Sequence, residues 1–174
     1  MLRHRDEVEM ACTGDALTDR AELLSVRVSY DEFYRRSWTR TVQLAALLVQ
    51  DASVAEELAQ DAFIQVMSRW DTLREPAAYL HQCVVNASRV YHRHAGVVRQ
   101  KLRVMAIPET TEHDFDELAE AVSALPFRQR AVVLLRYHCD LTEQQIAEVL
   151  KCRPGTVKSL AARALSALHQ ELSR

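Results

Sequence analysis

Apolar residues recur at helical spacing along this sequence, and that recurrence constrains the fold more than any other feature. The longest stripe follows a 3.6-residue period through Ala55, Leu58, Ala59, Ala62, Phe63, Val66, Met67 and Trp70. Ser53 and Glu56 precede most of it with the S-x-x-E spacing of a capping box, which predicts the helix start. With only 3 Gly and 4 Pro among 174 residues, the chain has little material for the tight turns of a β-sandwich. We therefore expect an all-α fold.

Two further helices are predicted on either side of this one. The first covers 30–50, and the second begins at Pro76 after a loop over 70–75, because Pro suits the first helical position. On the second helix one polar and basic stripe, at i, i+4, i+7 and i+11, consists of Gln82, Asn86, Arg89 and Arg93. Gly96 is predicted to begin a linker that runs through an acidic stretch to about His113.

The C-terminal part is predicted to be a second helical domain. Helices are expected over 114–124 and 128–138, the latter with Tyr137 among its core residues. Thr142 and Gln145 form a T-x-x-Q capping box that opens a short helix. A turn over 151–153 follows, and Pro154 starts a last helix whose apolar side is predicted to include Leu165.

The last two helices have the layout of a helix-turn-helix: a short capped helix, a tight turn and a longer helix. Ala147 is small where the two helices must cross. Thr156, Lys158 and Ser159 lie near the start of the second helix, the region that usually contacts base edges in the major groove. An ordinary αα-hairpin with a basic surface is the alternative, but the capping box, turn length and basic residues together favour DNA binding.

The overall charge is misleading. A net charge of −2 and a pI of about 6.4 argue against a nucleic-acid binder. Yet residues 73–103 carry six basic side chains against one acidic, and residues 151–174 carry five against one. Residues 104–123 carry six acidic side chains and no Lys or Arg, and 51–61 is also acidic. Two basic zones separated by acidic ones suggest surfaces for a polyanion and surfaces for other partners, the alternative being that these charge runs are simply solvated faces.

No cofactor, metal or catalytic site is predicted. The four Cys are far apart and form no CxxC pair, so free thiols in a reducing compartment are expected. His138, Cys139 and Cys152 lack a fourth metal ligand, and the sequence has no Gly-rich phosphate loop. No apolar run has the length of a bilayer span, and the N-terminus lacks the apolar region of a signal peptide. These features predict a cytoplasmic protein without membrane insertion that is not an enzyme.

Taken together, the segments ELAQDAF, PAAYLHQCVVNASRVY and ALPFRQRAVVLLRYHCDLTEQQIAEVLKCRPGTVKS resemble the extracytoplasmic-function (ECF, group IV) sigma factors of the sigma-70 family. The resemblance covers about 30–172. It implies a sigma region 2 domain over 30–95, a flexible acidic linker over 96–113 and a sigma region 4 domain over 114–174. Residues 1–29 lie outside it, as a disordered leader, a regulatory extension or the product of an upstream start codon (Met10 being the alternative start).

The resemblance also implies partners and site residues. This protein would bind core RNA polymerase at two places, the β′ clamp helices and the β flap. The residues that contact the clamp helices would be Glu57, Gln60 and Asp61. The loop over 71–76 and the helix after it would melt the promoter −10 element and capture an extruded base, using Tyr79, Gln82, Asn86, Arg89 and Arg93. The −35 element would be contacted by Arg153, Thr156, Lys158, Ser159 and Arg163. An anti-sigma factor would hold the free protein.

Two departures and one rival accompany the resemblance. The family often has Arg at the position of Leu160, and it can have a larger residue at the position of Ala162. Both differences alter the expected −35 contacts. The rival is a helix-turn-helix transcriptional regulator with a helical effector or dimerisation domain. That rival leaves the basic stripe on the Pro76 helix without a function.

Overall fold

A computed structural model describes residues 28–101 and 113–173 of the chain, with side chains described for 28–94 and 117–173. Within those ranges every regular element is helical and no strand occurs, as predicted. In chain order the elements are α1 (Tyr30–Val49), α2 (Ala52–Met67), a 3₁₀ turn (Trp70–Thr72), α3 (Pro76–Lys101), α4 (His113–Ala124), α5 (Phe127–Val133), a π-helical segment (Leu134–His138), α6 (Glu143–Leu150) and α7 (Pro154–Leu172).

The N-terminal domain is a bundle of α1, α2 and α3. Its centre is Phe63, which is almost fully buried and contacts an aromatic group from α1 at ring-centroid distances of 4.8–6.1 Å. Trp70 closes one end of this group, edge-on to Tyr30 at 5.4 Å. The Tyr30 hydroxyl donates to the Phe63 carbonyl at 3.0 Å, so the aromatic group also fixes α1 against α2.

The predicted capping box at the start of α2 is wrong. The N-cap residue is Asp51, whose Oδ1 accepts from the backbone N–H groups of Ser53 and Val54 at 3.1 and 3.2 Å. The Ser53 hydroxyl also donates to this carboxylate at 2.8 Å, which lowers the pKa of Asp51. A carboxylate two residues upstream thus satisfies the first helical donors, and the helix starts one position before Ser53.

Gly96 does not end α3, which continues to Lys101. A single Gly costs an α-helix only about 1 kcal/mol relative to Ala, and the residues around it are compatible with a helix. The remainder of the predicted linker, over 102–112, lies outside the described residues, as do residues 1–27.

The structure confirms the two helices that were predicted at the end of the C-terminal domain, including the Thr142–Gln145 capping box. Tyr137 was predicted in the core, but it is 58% exposed. The π-helical segment explains this, because an i→i+5 turn holds one residue more than an α-helical turn and rotates the side chains that follow. Leu165 is also exposed, at the edge of the apolar face of α7.

The two domains pack against each other. Helices α1 and α3 contact the C-terminal domain through α4, α5, α6 and the π-helical segment. A cavity of about 210 Å³ remains at this junction, lined from one side by Arg40, Thr41 and His81 and from the other by Cys139. Burial, with help from the nearby Arg40 and His138, lowers the pKa of His81 to about 4.

This shift predicts a stability that depends on pH. The folded state disfavours the charged imidazole of His81, so its neutral form contributes full stability above pH 6.5, and the contribution is lost as the pH falls from 6.5 towards 4. We expect the free energy of unfolding to fall by up to about 3 kcal/mol over this window. Denaturant unfolding at a series of pH values measures it. His81→Gln should flatten this part of the profile, and an unchanged slope in that variant would assign the loss to other groups.

Candidate nucleic-acid interface

The helix-turn-helix is held by backbone hydrogen bonds at its turn. Lys151 ends α6 in the left-handed region at φ 49°, and its N–H donates to the Ala147 and Glu148 carbonyls. The Cys152 N–H donates to the Ala147 carbonyl at 2.9 Å. Ala147 itself is buried, as expected for a close crossing, and Pro154 begins α7 at the first helical position. This turn fixes the start of α7 relative to α6.

The α7 helix has a buried apolar side and an exposed polar side. Val157, Ala161 and Ala164 are buried against the rest of the domain. All five predicted −35 residues lie on or beside its first three turns. Four are exposed and Thr156 is half-buried: Arg153, Thr156, Lys158, Ser159 and Arg163. The Ser159 hydroxyl donates to the Thr156 carbonyl at 3.0 Å, which leaves its oxygen as an acceptor. Leu160 is half-buried and Ala162 is exposed.

The polar stripe on α3 lies on one surface of the N-terminal domain. Arg89 and Arg93 are exposed, whereas Gln82 and Asn86 are half-buried. An Arg89 NH2 group lies 3.4 Å from the Asn86 side-chain oxygen and donates to it. The Asn86 amide nitrogen has no hydrogen-bond partner within the described part of the chain, so its donors are available to a ligand.

The ring of Tyr79 is only partly available for stacking on a base. The ring is half-buried, and the Arg69 guanidinium lies over it at 5.6 Å from the ring centroid. Burial raises the pKa of its hydroxyl. One face of the ring is therefore in a cation–π contact, and a base could approach only where that contact is given up.

The loop before α3 borders an open pocket of about 360 Å³. Phe33, Trp70 and Leu73 form its apolar lining, and Arg36 and Arg74 contribute charged groups. Neither Asn86 nor Tyr79 lines this pocket, so the structure separates the loop from the stripe on α3. The sequence did not reveal the contribution of α1, because Phe33 follows the helical period as an ordinary core residue.

The acidic face of α2 is exposed as predicted. Glu57, Gln60 and Asp61 all point away from the bundle. Two apolar side chains continue the same face, Ile64 at 57% and Met67 at 53% exposure. The prediction of Met67 as a core residue is wrong, and Ile64 is a further exposed apolar residue of this face. Their spacing of seven residues from Glu57 and Gln60 was the signal that could have identified them.

Within the described ranges no cluster of three or more metal-ligating side chains occurs. Cys83, Cys139 and Cys152 are free thiols, and burial raises the pKa of Cys139 to about 11. Among these residues no helix is long and apolar enough to cross a bilayer. Cys12 lies outside the described residues.

Two known protein families match parts of this sequence. The family described as Sigma-70 region 2 matches residues 33–97, and that described as Sigma-70, region 4 matches residues 115–168. The two matches fall in order on the two helical domains. The chain belongs to the sigma-70 family. The rival of a helix-turn-helix regulator with an effector domain does not account for the region 2 match.

Several named sigma factors resemble this one along most of its length. The RNA polymerase sigma-E factor of Streptomyces avermitilis is 29% identical over 153 residues, covering 83% of this chain and 86% of that protein. The ECF RNA polymerase sigma factor SigE of Mycolicibacterium smegmatis is 29% identical over 179 residues, covering 93% and 68%. Among solved structures, the sigma factor RpoE of Bartonella quintana, in complex with the anti-sigma factor NepR, has a TM-score of 0.67 at 21% identity. That likeness covers 82% of this chain and 97% of the other.

These findings establish an ECF sigma factor, a protein that directs transcription initiation by RNA polymerase. The family is not a family of enzymes.

Proposed function

We propose that the two domains of this sigma factor share promoter recognition: residues 30–95 bind core polymerase and the −10 element, and residues 114–174 bind the −35 element. The observation that carries the proposal is the presence of an exposed basic helix surface on each domain, one on α3 and one on the first turns of α7. Residues 96–113 would connect the two.

The −35 assignment rests on the orientation of α7. Its apolar side holds the helix against α4, α5 and α6, so the exposed side with Lys158 and Arg163 is available to the major groove. An Arg or Lys there can reach guanine or neutralise a phosphate. Leu160, half-buried, offers no charge at its position, so recognition would depend on Arg153, Lys158 and Arg163.

The −10 assignment rests on two separate features of the N-terminal domain. Asn86 offers free amide donors to a base edge, and Arg89 and Arg93 continue the stripe as phosphate ligands. The pocket beside the loop is within the size range of small-ligand pockets and has an aromatic wall at Phe33 and Trp70. An extruded base fits such a wall by stacking. We propose that the pocket receives the base and that Asn86 contacts a neighbouring position.

The α2 face is proposed to bind core polymerase at its β′ clamp helices. Glu57 and Asp61 repel DNA, so a protein surface is the better partner. Ile64 and Met67 add exposed apolar area beside these charges, which is typical of a protein interface with a polar rim. The β flap of polymerase would bind the C-terminal domain.

Other properties follow from the family. An anti-sigma factor is the expected regulator, since RpoE and CnrH, which share this fold, were solved in complex with NepR and with the cytosolic domain of CnrY, respectively. The protein would act in the cytoplasm, where core polymerase is found. It would use no cofactor and catalyse no reaction itself.

The −35 surface gives a quantitative expectation. Lys158→Ala and Arg163→Ala should each weaken promoter binding by the polymerase complex roughly three- to tenfold, because each removes a phosphate or base contact. For a phosphate contact, the slope of log affinity against log salt should also fall by about 1. Competition binding on one promoter at several salt concentrations measures both values.

Arg128→Ala is the matched control, since Arg128 is an exposed basic residue of the same domain outside α7. Equal affinities and equal salt slopes in the α7 variants and the control would show that α7 is not part of the DNA interface.

A further inference from the structure

Helix α1 contributes one wall of the pocket beside the loop before α3. Phe33, Arg36 and Ser37 line the pocket at helical spacings of three and four residues, so they share one face of α1. Trp70 and Arg74 line it from the segment that precedes α3. The individual −10 residues predicted from the sequence all lie on α3, and none of them belongs to α1.

The aromatic part of the lining suits a base. The Phe33 and Trp70 rings lie with their centroids 5.3 Å apart and their planes inclined by 44°, and both rings are half-buried. A base can stack on partly exposed rings of this kind. A base that leaves the duplex rotates about its own backbone, so its sugar and phosphates stay at the mouth of the pocket.

The charged part of the lining carries an excess of positive charge. Arg36 and Arg74 are accompanied by one carboxylate, that of Glu75, among the described lining residues. Arg36 forms an ion pair with Glu32 one turn earlier on α1, but its side chain is 69% exposed, and exposed pairs contribute little to stability. Arg74 is exposed and has no ion pair or side-chain hydrogen bond in the part of the chain that the structure describes. Both guanidinium groups are therefore available to an anion.

We propose that Arg36 and Arg74 bind the strand phosphate next to the extruded base, so that the pocket takes a whole nucleotide of single-stranded DNA. The inference rests on the proposed function, which places the base against Phe33 and Trp70. Arginine suits this contact because its planar guanidinium can donate two parallel hydrogen bonds to a phosphate. Helix α1 is thereby part of the −10 interface, and Arg36 exchanges Glu32 for the phosphate when the strand binds.

A phosphate contact differs from a base contact in what it does to specificity. Phosphates are the same at every position of the strand, so a group that binds one contributes affinity and carries no sequence information. Loss of Arg36 or Arg74 should therefore weaken binding to all −10 sequences alike. Loss of Asn86, which is proposed to contact a base edge, should change the preference at one position.

The test uses core polymerase loaded with the full-length protein and a promoter, selected by run-off transcription, whose −10 element is left unpaired. Arg36→Gln and Arg74→Gln should each weaken binding about three- to tenfold and leave the −10 base preference unchanged. Each should also reduce the slope of log affinity against log salt by about 0.7, the value for one phosphate contact on a single strand. Circular dichroism verifies that each variant keeps its helices.

Arg35→Gln is the matched control, because Arg35 is exposed on α1 and does not line the pocket. It should keep the affinity and the salt slope of the wild type. A neutral methylphosphonate, placed at one strand position at a time, then locates the contact. At one position it should weaken binding by the wild type and by Arg35→Gln, and have no further effect in Arg36→Gln, where the contact is already lost.

Two results would overturn the inference. One is an affinity and a salt slope in Arg36→Gln and Arg74→Gln that equal those of Arg35→Gln. The other is a methylphosphonate effect that adds to that of both variants at every position. Removal of single bases from the −10 strand judges the proposed function separately. If one abasic position weakens binding while the arginine variants match the control, the base is bound without the phosphate contact. If no abasic position weakens binding, the proposed base pocket is wrong.

Discussion

Replacing Asp61 with arginine should weaken the association of this sigma factor with core RNA polymerase by at least about a hundredfold. The side chain is exposed on α2 and makes no hydrogen bond or ion pair within the described residues, so its loss leaves the bundle intact. Reversing a charge in a complementary interface places like charges together, which costs several kcal/mol. Association is measured by titrating labelled protein with core polymerase at constant salt.

Asp31→Arg is the control for the Asp61 variant. It makes the same change of charge in the same domain, on an exposed residue of α1 rather than of α2. This control should bind polymerase within a fewfold of wild type. If Asp61→Arg and Asp31→Arg bind equally well, the α2 face is not the polymerase-binding surface.

The second large effect is expected at Asn86. Asn86→Ala should lower transcription from a cognate promoter about ten- to a hundredfold and relax the base preference at one position of the −10 element. An asparagine that donates and accepts hydrogen bonds at a base edge contributes about 1–3 kcal/mol of discrimination, and alanine can do neither. Transcription from templates with each of the four bases at every −10 position measures the preference.

Val90→Ala serves as the comparison for Asn86→Ala, because Val90 is exposed one turn further along the same helix, beside the stripe, and its side chain cannot form a hydrogen bond to a base. It should transcribe normally. A full −10 preference identical to wild type in the Asn86 variant would show that another residue reads the base.

Local sequence signals predicted the elements that depend on neighbouring residues. The Thr142–Gln145 capping box, the helix start at Pro154 and the order of the helices were all readable, because caps and periodicity act within one or two turns. Local signals do not by themselves determine the start of α2. Both Asp51 and Ser53 are good capping residues, and the choice between them depends on the backbone geometry of the preceding turn.

Features that depend on distant residues were not predictable in the same way. Tyr137 follows the helical period of the core, but a π-helical segment rotates it outward. Phe33 was readable as a core residue of α1, yet it also lines the pocket beside the loop before α3. The buried Arg130 reads in the sequence as one of several basic residues, and only packing of the two domains provides its partner, the Leu48 carbonyl.

The charge distribution was more informative than the total charge. The net charge of −2 conceals basic zones over 73–103 and 151–174 and acidic zones over 51–61 and 104–123. Basic residues lie on the exposed sides of α3 and α7, and acidic residues lie on the exposed side of α2. Charges that are separated along the sequence are therefore also separated on the surface. The small total charge therefore does not indicate a protein without affinity for DNA.

Run-off transcription with purified core polymerase on a library of randomised promoters measures whether this protein directs promoter-specific initiation. We expect transcripts that depend on this protein and start downstream of two enriched elements about 25 base pairs apart. Loss of enrichment should be confined to the −10 element in Asn86→Ala and to the −35 element in Lys158→Ala. Transcripts that do not require the protein, or that arise without any enriched element, would show that the protein does not direct promoter-specific initiation.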